Sequence, residues 1–243
     1  MPLMSSKDVM SETVPVYRVH RASALIRVDG ILDEWEWIGA ERLRRLKFNH
    51  EPEDSKPLRE ETLIASVCDD ENLYLAFIVH DREIWATINE RDARLFPEEC
   101  VEFFLGPDGT GERHIEAQIN SLNNIRDLLI DGNVNNPSYP EFDVMAHWDF
   151  QHLQKEVRIY RDGDGQDIGW TLEIAIPWSE LSFSRRTWPR KPRDELRINF
   201  YRYERSRSGE LPLELSAWSP VRDFHEPTRF GRFVFLSSPP GRQ

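Results

Sequence analysis

Short apolar stretches with a period of two, cut at near-regular intervals by polar turns, constrain this chain more than anything else in its sequence. ETLIASVC (61–68) and NLYLAFIVH (72–80) flank Asp69-Asp70-Glu71, a hairpin signal, and 72–80 is apolar on both faces, as a central strand is. ECVEFFL (99–105) and HIEAQIN (114–120) flank GPDGTGER, where Pro107 and Gly109 are placed for a turn. EVRIY (156–160) and GWTLEIAI (169–176) flank RDGDGQDI, and LRINFYRY (196–203) and LPLELSAW (211–218) flank ERSRSGE. RFGRFVFL (229–236), ALIRV (24–28) and NNIRDLLI (123–130) complete the set, while helical signals are confined to 31–43 and 177–183. Many strands without a βαβ rhythm predict an all-β fold. The expected form is an antiparallel, immunoglobulin- or jelly-roll-like β-sandwich of two sheets with one or two short helices. Residues 16–237 read as one domain between polar tails at 1–15 and 238–243.

Alternation also predicts which side chains leave the core. Ile115, Ala117 and Ile119 oppose His114, Glu116, Gln118 and Asn120. Val101, Phe103 and Leu105 oppose Glu102 and Phe104, and Leu196, Ile198 and Phe200 oppose Arg197, Asn199, Tyr201 and Tyr203. A face of carboxylates, amides and phenols suits a neutral polyhydroxylated ligand, because hydroxyls need paired donors and acceptors and sugar C–H faces need aromatic planes. The same pattern describes an ordinary solvated face.

Charge and cysteine count narrow the function further. With 43 acidic against 31 basic residues the net charge is -12, which repels a phosphate backbone, so no nucleic-acid partner is expected. No apolar run approaches the ~18 residues of a membrane span, so no membrane partner is expected. Nine Arg or Lys fall in 185–207 with Tyr201 and Tyr203 interleaved, but Asp194, Glu195 and Glu204 dilute them, and a salt-bridged loop and strand is the reading. Cys68 and Cys100, both in strand-like runs, read as buried thiols. The first residues lack the basic and apolar regions of a secretory signal, which as written favours the cytoplasm.

Several chemistries have weak footholds. Phe96 and Phe224 sit in polar, Pro-flanked loops, and Trp218 ends a strand, so each is buried by packing or exposed for binding. Asp162, Asp164 and Asp167, with Glu173 eleven positions after Asp162, imitate a calcium loop, but the sixth place is Asp167 instead of Gly. These carboxylates read as a hairpin turn that could serve a different calcium geometry. Glu102 and Glu116 are the residues a glycoside hydrolase would use. Met145 and His147, with His152 and Trp148 nearby, are the residues that could ligate haem iron. Gly-x-Ser-x-Gly, phosphate-loop and HExxH motifs are lacking.

The ordered pieces IRVDGILDEWEW, VCDDENLYLAFIVHD, LFPEECVEFFLGPDG, HIEAQINSLNNIRDLLIDG, GWTLEIAIPWSEL, RINFYRYER, AWSP and FHEPTRFGRFVF cover about 26–236. In that order they resemble carbohydrate-binding module family 9, within the DOMON-like sandwich group. The resemblance implies a two-sheet β-sandwich that binds glucan or xylan chain ends or small sugars without catalysis. It requires no cofactor, although structural calcium occurs nearby in some members. It implies a sugar clamped between Phe96 and Phe224, with Glu102 and Gln118 hydrogen-bonding hydroxyls and Trp218 and Arg202 as second choices for the pocket wall. It also implies a secreted or periplasmic setting. The sugar binders of the family carry Trp at both clamp positions and a hydrogen-bonding side chain where this chain has Val221. Phe offers less stacking area and no indole N–H, so weaker or altered sugar binding is expected. The alternatives are a DOMON-type b-haem electron-transfer domain through Met145 and His147, and a hydrolase through Glu102 and Glu116.

Overall fold

The computed structural model describes residues 14–44, 46–49, 57–106, 113–131, 143–145, 147–181 and 195–237, with the backbone alone at 131 and 143–145. The described strands are β1 (Val16–Arg21), β2 (Lys47–Phe48), β3 (Thr62–Cys68), β4 (Asn72–His80), β5 (Cys100–Gly106), β6 (Arg113–Ile119) and β7 (Ile125–Asp131). They continue with β8 (Asp143–Met145), β9 (Gln154–Arg161), β10 (Asp167–Pro177), β11 (Glu195–Glu204), β12 (Glu214–Ala217) and β13 (Gly231–Phe235). Among the described residues the helical parts are one helix, α1 (Trp35–Gly39), and short 3-10 turns at Trp178–Leu181 and Pro227–Arg229.

The strands form one curled path, β8-β7-β6-β5-β11-β13-β1-β3-β4-β10-β9, with β12 on β11 and β2 on β12. The path folds into a front sheet up to β13 and a back sheet from β3 onward, and β1 belongs to both. Its residues Val16–Val19 run parallel to β13, while His20 and Arg21 run parallel to β3. A strand that changes sheets turns a corner of the sandwich. The sandwich expectation therefore holds, with one difference: the corner strand makes the sheets mixed instead of wholly antiparallel.

The core lies between the sheets. Val101, Phe103 and Leu105 of β5, Ile115, Ala117 and Ile119 of β6, and Leu196, Ile198 and Phe200 of β11 face Leu73, Leu75, Phe77 and Val79 of β4. Trp170, Leu172, Ile174 and Ile176 of β10 join them. Phe77 meets Phe200 edge-on across the layers, with centroids 5.6 Å apart. Each fully buried Val, Leu, Ile or Phe side chain among them is worth about 1.5–3 kcal/mol. Cys68 and Cys100 are free, buried thiols.

Two local expectations change. Residues 24–28 are not a strand: the Glu36 carboxylate accepts the Ser23 and Ala24 N–H groups, and Glu34 accepts that of Arg27. Backbone donors taken by side chains cannot form a ladder. The apolar residues of 31–43 likewise do not make a long helix, since α1 spans only five residues. Instead this segment lies over the outer face of the back sheet. Trp37 Nε1 donates to Glu173 Oε1 at 2.8 Å, and the Asp29 and Gly30 N–H groups donate to Glu173 Oε2 at 2.9 and 3.0 Å. Glu173 thus holds a loop in place. Gly30 has a φ of +76°, and a Cβ there would press on Arg158.

Candidate functional site

The outer face of the front sheet is set by register. Glu102 pairs with Tyr201 of β11 on one side and with Gln118 of β6 on the other. Gln118 pairs in turn with Arg126 of β7, and Phe104 pairs with Glu116 and with Asn199. Period-two geometry therefore brings Glu102, Glu116, Gln118, Arg126, Tyr201 and Tyr203 to one face, as the sequence predicts for the strand residues it groups.

Two loops deliver the phenyl rings to this face. The loop before β5 carries Phe96. Its Leu95 N–H donates to Gln118 Oε1 at 3.0 Å, and the Phe96 carbonyl accepts Arg205 Nε at 3.0 Å. The loop between β12 and β13 carries Phe224. There the Val221 N–H donates to Asn49 Oδ1 at 2.9 Å, and His225 Nδ1 lies 3.0 Å from His114 Nε2. Tyr203 touches both rings: Phe96 at 6.0 Å between centroids, and Phe224 at 6.4 Å with planes only 17° apart. Phe224 also lies 4.8 Å from Tyr201 and 6.1 Å from Phe104. Phe96, Tyr203 and Phe224 are all half-buried, and Phe224 packs one side against an apolar cluster of Phe104, Tyr201, Val221 and Phe230 on this outer face.

The floor is polar but shielded from solvent. Glu102 is buried, and burial raises its pKa well above the usual carboxylate range, with the neighbouring Glu116 adding to this and Arg126 opposing it. Glu116 is raised by burial too, tempered by the Gln118 amide, whose Nε2 donates to Glu116 Oε1 at 2.7 Å, and by Arg126. Among the described residues no hydrogen bond reaches the Glu102 carboxyl, whereas Gln118 already spends both ends of its amide. Burial, with nearby Glu102 contributing, also raises the Tyr203 phenol above its ordinary value.

The six sequence-derived site residues do not all meet. Phe96, Glu102, Gln118 and Phe224 come together. Trp218 does not line this face. It is packed between the sheets against Phe200 (5.8 Å) and Phe233 (5.9 Å), over Gly231, where a Cβ would overlap the indole. Arg202 lies on the core-facing side of β11, in the row of Leu196, Ile198 and Phe200. There it pairs with Glu204 and with Asp81 (3.3 Å) and donates to the His80 carbonyl at 2.7 Å. Residues the sequence reading left out of the site are Tyr203, Arg126 and the His114–His225 pair. Tyr203 and His114 already stood on the outward side of the alternation. No local signal marks His225 or Arg126.

Asp162, Asp164 and Asp167 form a hairpin turn. Asp162 Oδ1 accepts the N–H groups of Asp164 and Gln166, and Asp167 pairs with Arg161 at 2.8 Å. Three carboxylates do approach one another elsewhere among the described residues, at Asp81, Glu99 and Glu204 and at Asp92, Asp127 and Asp149. These are oxygen donors of the kind calcium takes. The first group already holds Arg202 and the second Arg91. Glu99 keeps one oxygen without a partner, and burial, with Asp81 next, pushes its pKa up to about 10. Of the haem candidates, Met145 lies in β8 with its side chain outside the described residues, and His147 is exposed. His152 stands 3.1 Å from Glu180. The basic stretch mostly falls outside the described residues. Arg197 and Arg205 donate to the Phe230 and Phe96 carbonyls.

A curled two-sheet sandwich with an aromatic strip beside carboxyl and amide groups on one outer face has the make-up of a ligand-binding module. The chain belongs to carbohydrate-binding family 9, whose sequence profile matches residues 61–235. Solved structures agree on the fold. A protein of Bacteroides uniformis described as a candidate carbohydrate-binding protein aligns with a TM-score of 0.69 at 18% identity, over 92% of this chain and 100% of its own. A family 9 module from Caldicellulosiruptor kristjanssonii in complex with cellotriose aligns with a TM-score of 0.60 at 16% identity, over 94% and 95%. A family 9 module from the same organism in complex with glucose gives 0.60 at 14% identity, over 93% and 97%. A comparison with curated proteins finds no match.

Proposed function

We infer that this carbohydrate-binding module holds a glucose- or xylose-type unit at a chain end, or a small sugar, on the front sheet, and that it does so without catalysis. The observation that carries the reading is the half-buried strip Phe96–Tyr203–Phe224 beside the Glu102 carboxyl. A sugar on Tyr203 would have a phenyl ring at each side. Glu102 would accept its hydroxyl donors, while Gln118 mainly holds the Phe96 loop. The glucose and cellotriose complexes of the structural neighbours support a glucan-type ligand. No cofactor is required, so EDTA leaves affinity unchanged, and any calcium serves the fold. Calorimetric titration with glucose, cellobiose, cellotriose and xylobiose tests the reading. Saturable binding to at least one sugar is expected, with affinity about tenfold lower in Phe224→Ala and no release of reducing sugar from any of them. Absence of heat across the panel, or unchanged affinity in the variant, would overturn it.

A further inference from the structure

The segment that covers the back sheet stops short of one corner. Past Gly30 the outer face of β4 and β10 opens into a cavity of about 630 Å3, on the opposite side of the molecule from the sugar strip. Ile31, Leu32, Ile78 and Ile168 give it aliphatic walls, and Tyr160 closes one side. Ile168 is 50% exposed, which is unusual for an isoleucine in an ordered strand. Gly169 forms part of the lining, and a side chain does not fit there, because its Cβ would run into the Val79 carbonyl of the paired strand.

The charged groups around the cavity are unequal. Arg82 has Glu60 as a partner at 3.8 Å, and Asp33 sits at the exposed rim. Arg42 also lines the cavity, and its Nη1 is buried without a hydrogen-bond partner. Burial lowers the Arg42 pKa, and the groups that act on it besides solvent loss are Tyr17 and Arg44, neither of them a carboxylate. The chain has a net charge of -12, yet among the described residues no carboxylate pairs with this guanidinium. A partly desolvated cation left unpaired is costly to the fold unless an anion joins it. Apolar walls with a few polar groups are the usual make-up of a small-molecule site, and the volume lies within the usual range; here Arg42 joins the Arg82–Glu60 pair, His80 and Asp33 about the lining.

We propose that this cavity is a second binding site, distinct from the sugar strip, for an amphiphilic carboxylate: an aliphatic body against Ile31, Leu32, Ile78 and Ile168, and an anionic head on Arg42. Decanoate below its micelle concentration is the probe, and decanol is the uncharged control. Decanoate binds with saturable 1:1 heat and shifts the methyl resonances of Ile78 and Ile168, while decanol binds about tenfold more weakly or less. Arg42→Met removes the preference for decanoate over decanol and leaves sugar affinity unchanged. The same variant melts no lower than the parent without ligand, because it loses an unpaired charge, so a folding failure does not mimic the result. Arg42→Lys keeps part of the preference. The proposal is overturned by non-saturable binding, by equal affinity for decanoate and decanol, by an undiminished preference in Arg42→Met, or by shifts confined to residues outside the cavity.

Discussion

Glu102 shows at the scale of one residue how binding and stability oppose each other here. Its carboxyl sits on a buried face beside Glu116, and its pKa is raised mainly by loss of solvent. A carboxyl whose folded pKa exceeds its unfolded value costs stability above the unfolded value of about 4.3, and costs nothing below it. Glu102→Gln is therefore expected to stabilise the fold at pH 7 by on the order of 1 kcal/mol, seen as a higher melting temperature, with the gain vanishing near pH 4. The same change weakens sugar binding. Melting curves of the two proteins from pH 4 to 8 check this, and a variant that melts lower at pH 7 contradicts it. Arg202 shows how a residue misleads. Alternation puts it in the row of Leu196, Ile198 and Phe200, but its charge suggests a ligand contact. Glu204 stands two positions along the same strand, but only the folded chain brings Asp81 to meet it.

At the scale of an element, the Phe224 loop depends on a pair of neutral imidazoles. His114 is buried and its pKa falls to about 3, through burial first and His225 second; burial also lowers His225, against the pull of Asp223. A histidine depressed in the fold adds stability above its unfolded pKa near 6.5, and that stability is lost as pH falls toward its folded value. Stability is thus expected to drop below pH 6.5 by about 1.4 kcal/mol per pH unit for each proton the fold refuses. Melting temperatures of wild type and His114→Phe between pH 7 and 4 test it: the variant's dependence is shallower, and parallel curves would refute the idea. The loop's other end rests on Gly231 under Trp218. Gly231→Ala is expected to cost about 1–3 kcal/mol, read from the denaturant midpoint, and a midpoint equal to wild type's would show that the indole can move aside. Element by element, β3, β4, β5, β6, β10 and β11 were legible because their alternation is strong and local. β1 was not: its partners β13 and β3 lie far along the chain in parallel pairings, which leave no local mark. Residues 24–28 have a strand's composition but give their backbone donors to Glu36 and Glu34.

At the scale of the whole molecule, the two sheets present different surfaces. The front sheet carries an aromatic and carboxyl face with loops at its rim; the back sheet is largely covered by the 22–40 segment, which Glu173 holds. Much of the front face was legible in the sequence, since the period of two assigns Glu102, Gln118, Tyr201 and Tyr203 to one side before any contact is known. What the sequence does not show is how loops land on that face. Phe96 and Phe224 are 128 positions apart, and they share Tyr203 only because β5 and β11 are neighbours. The burial of Trp218 is equally non-local, because it depends on a glycine of β13. A crystal structure of the protein grown with cellotriose tests the central claim most directly. The account predicts a terminal sugar ring on Tyr203 between Phe96 and Phe224, with a hydroxyl within hydrogen-bond distance of the Glu102 carboxyl. An oligosaccharide bound anywhere else, with the strip bare, would contradict it.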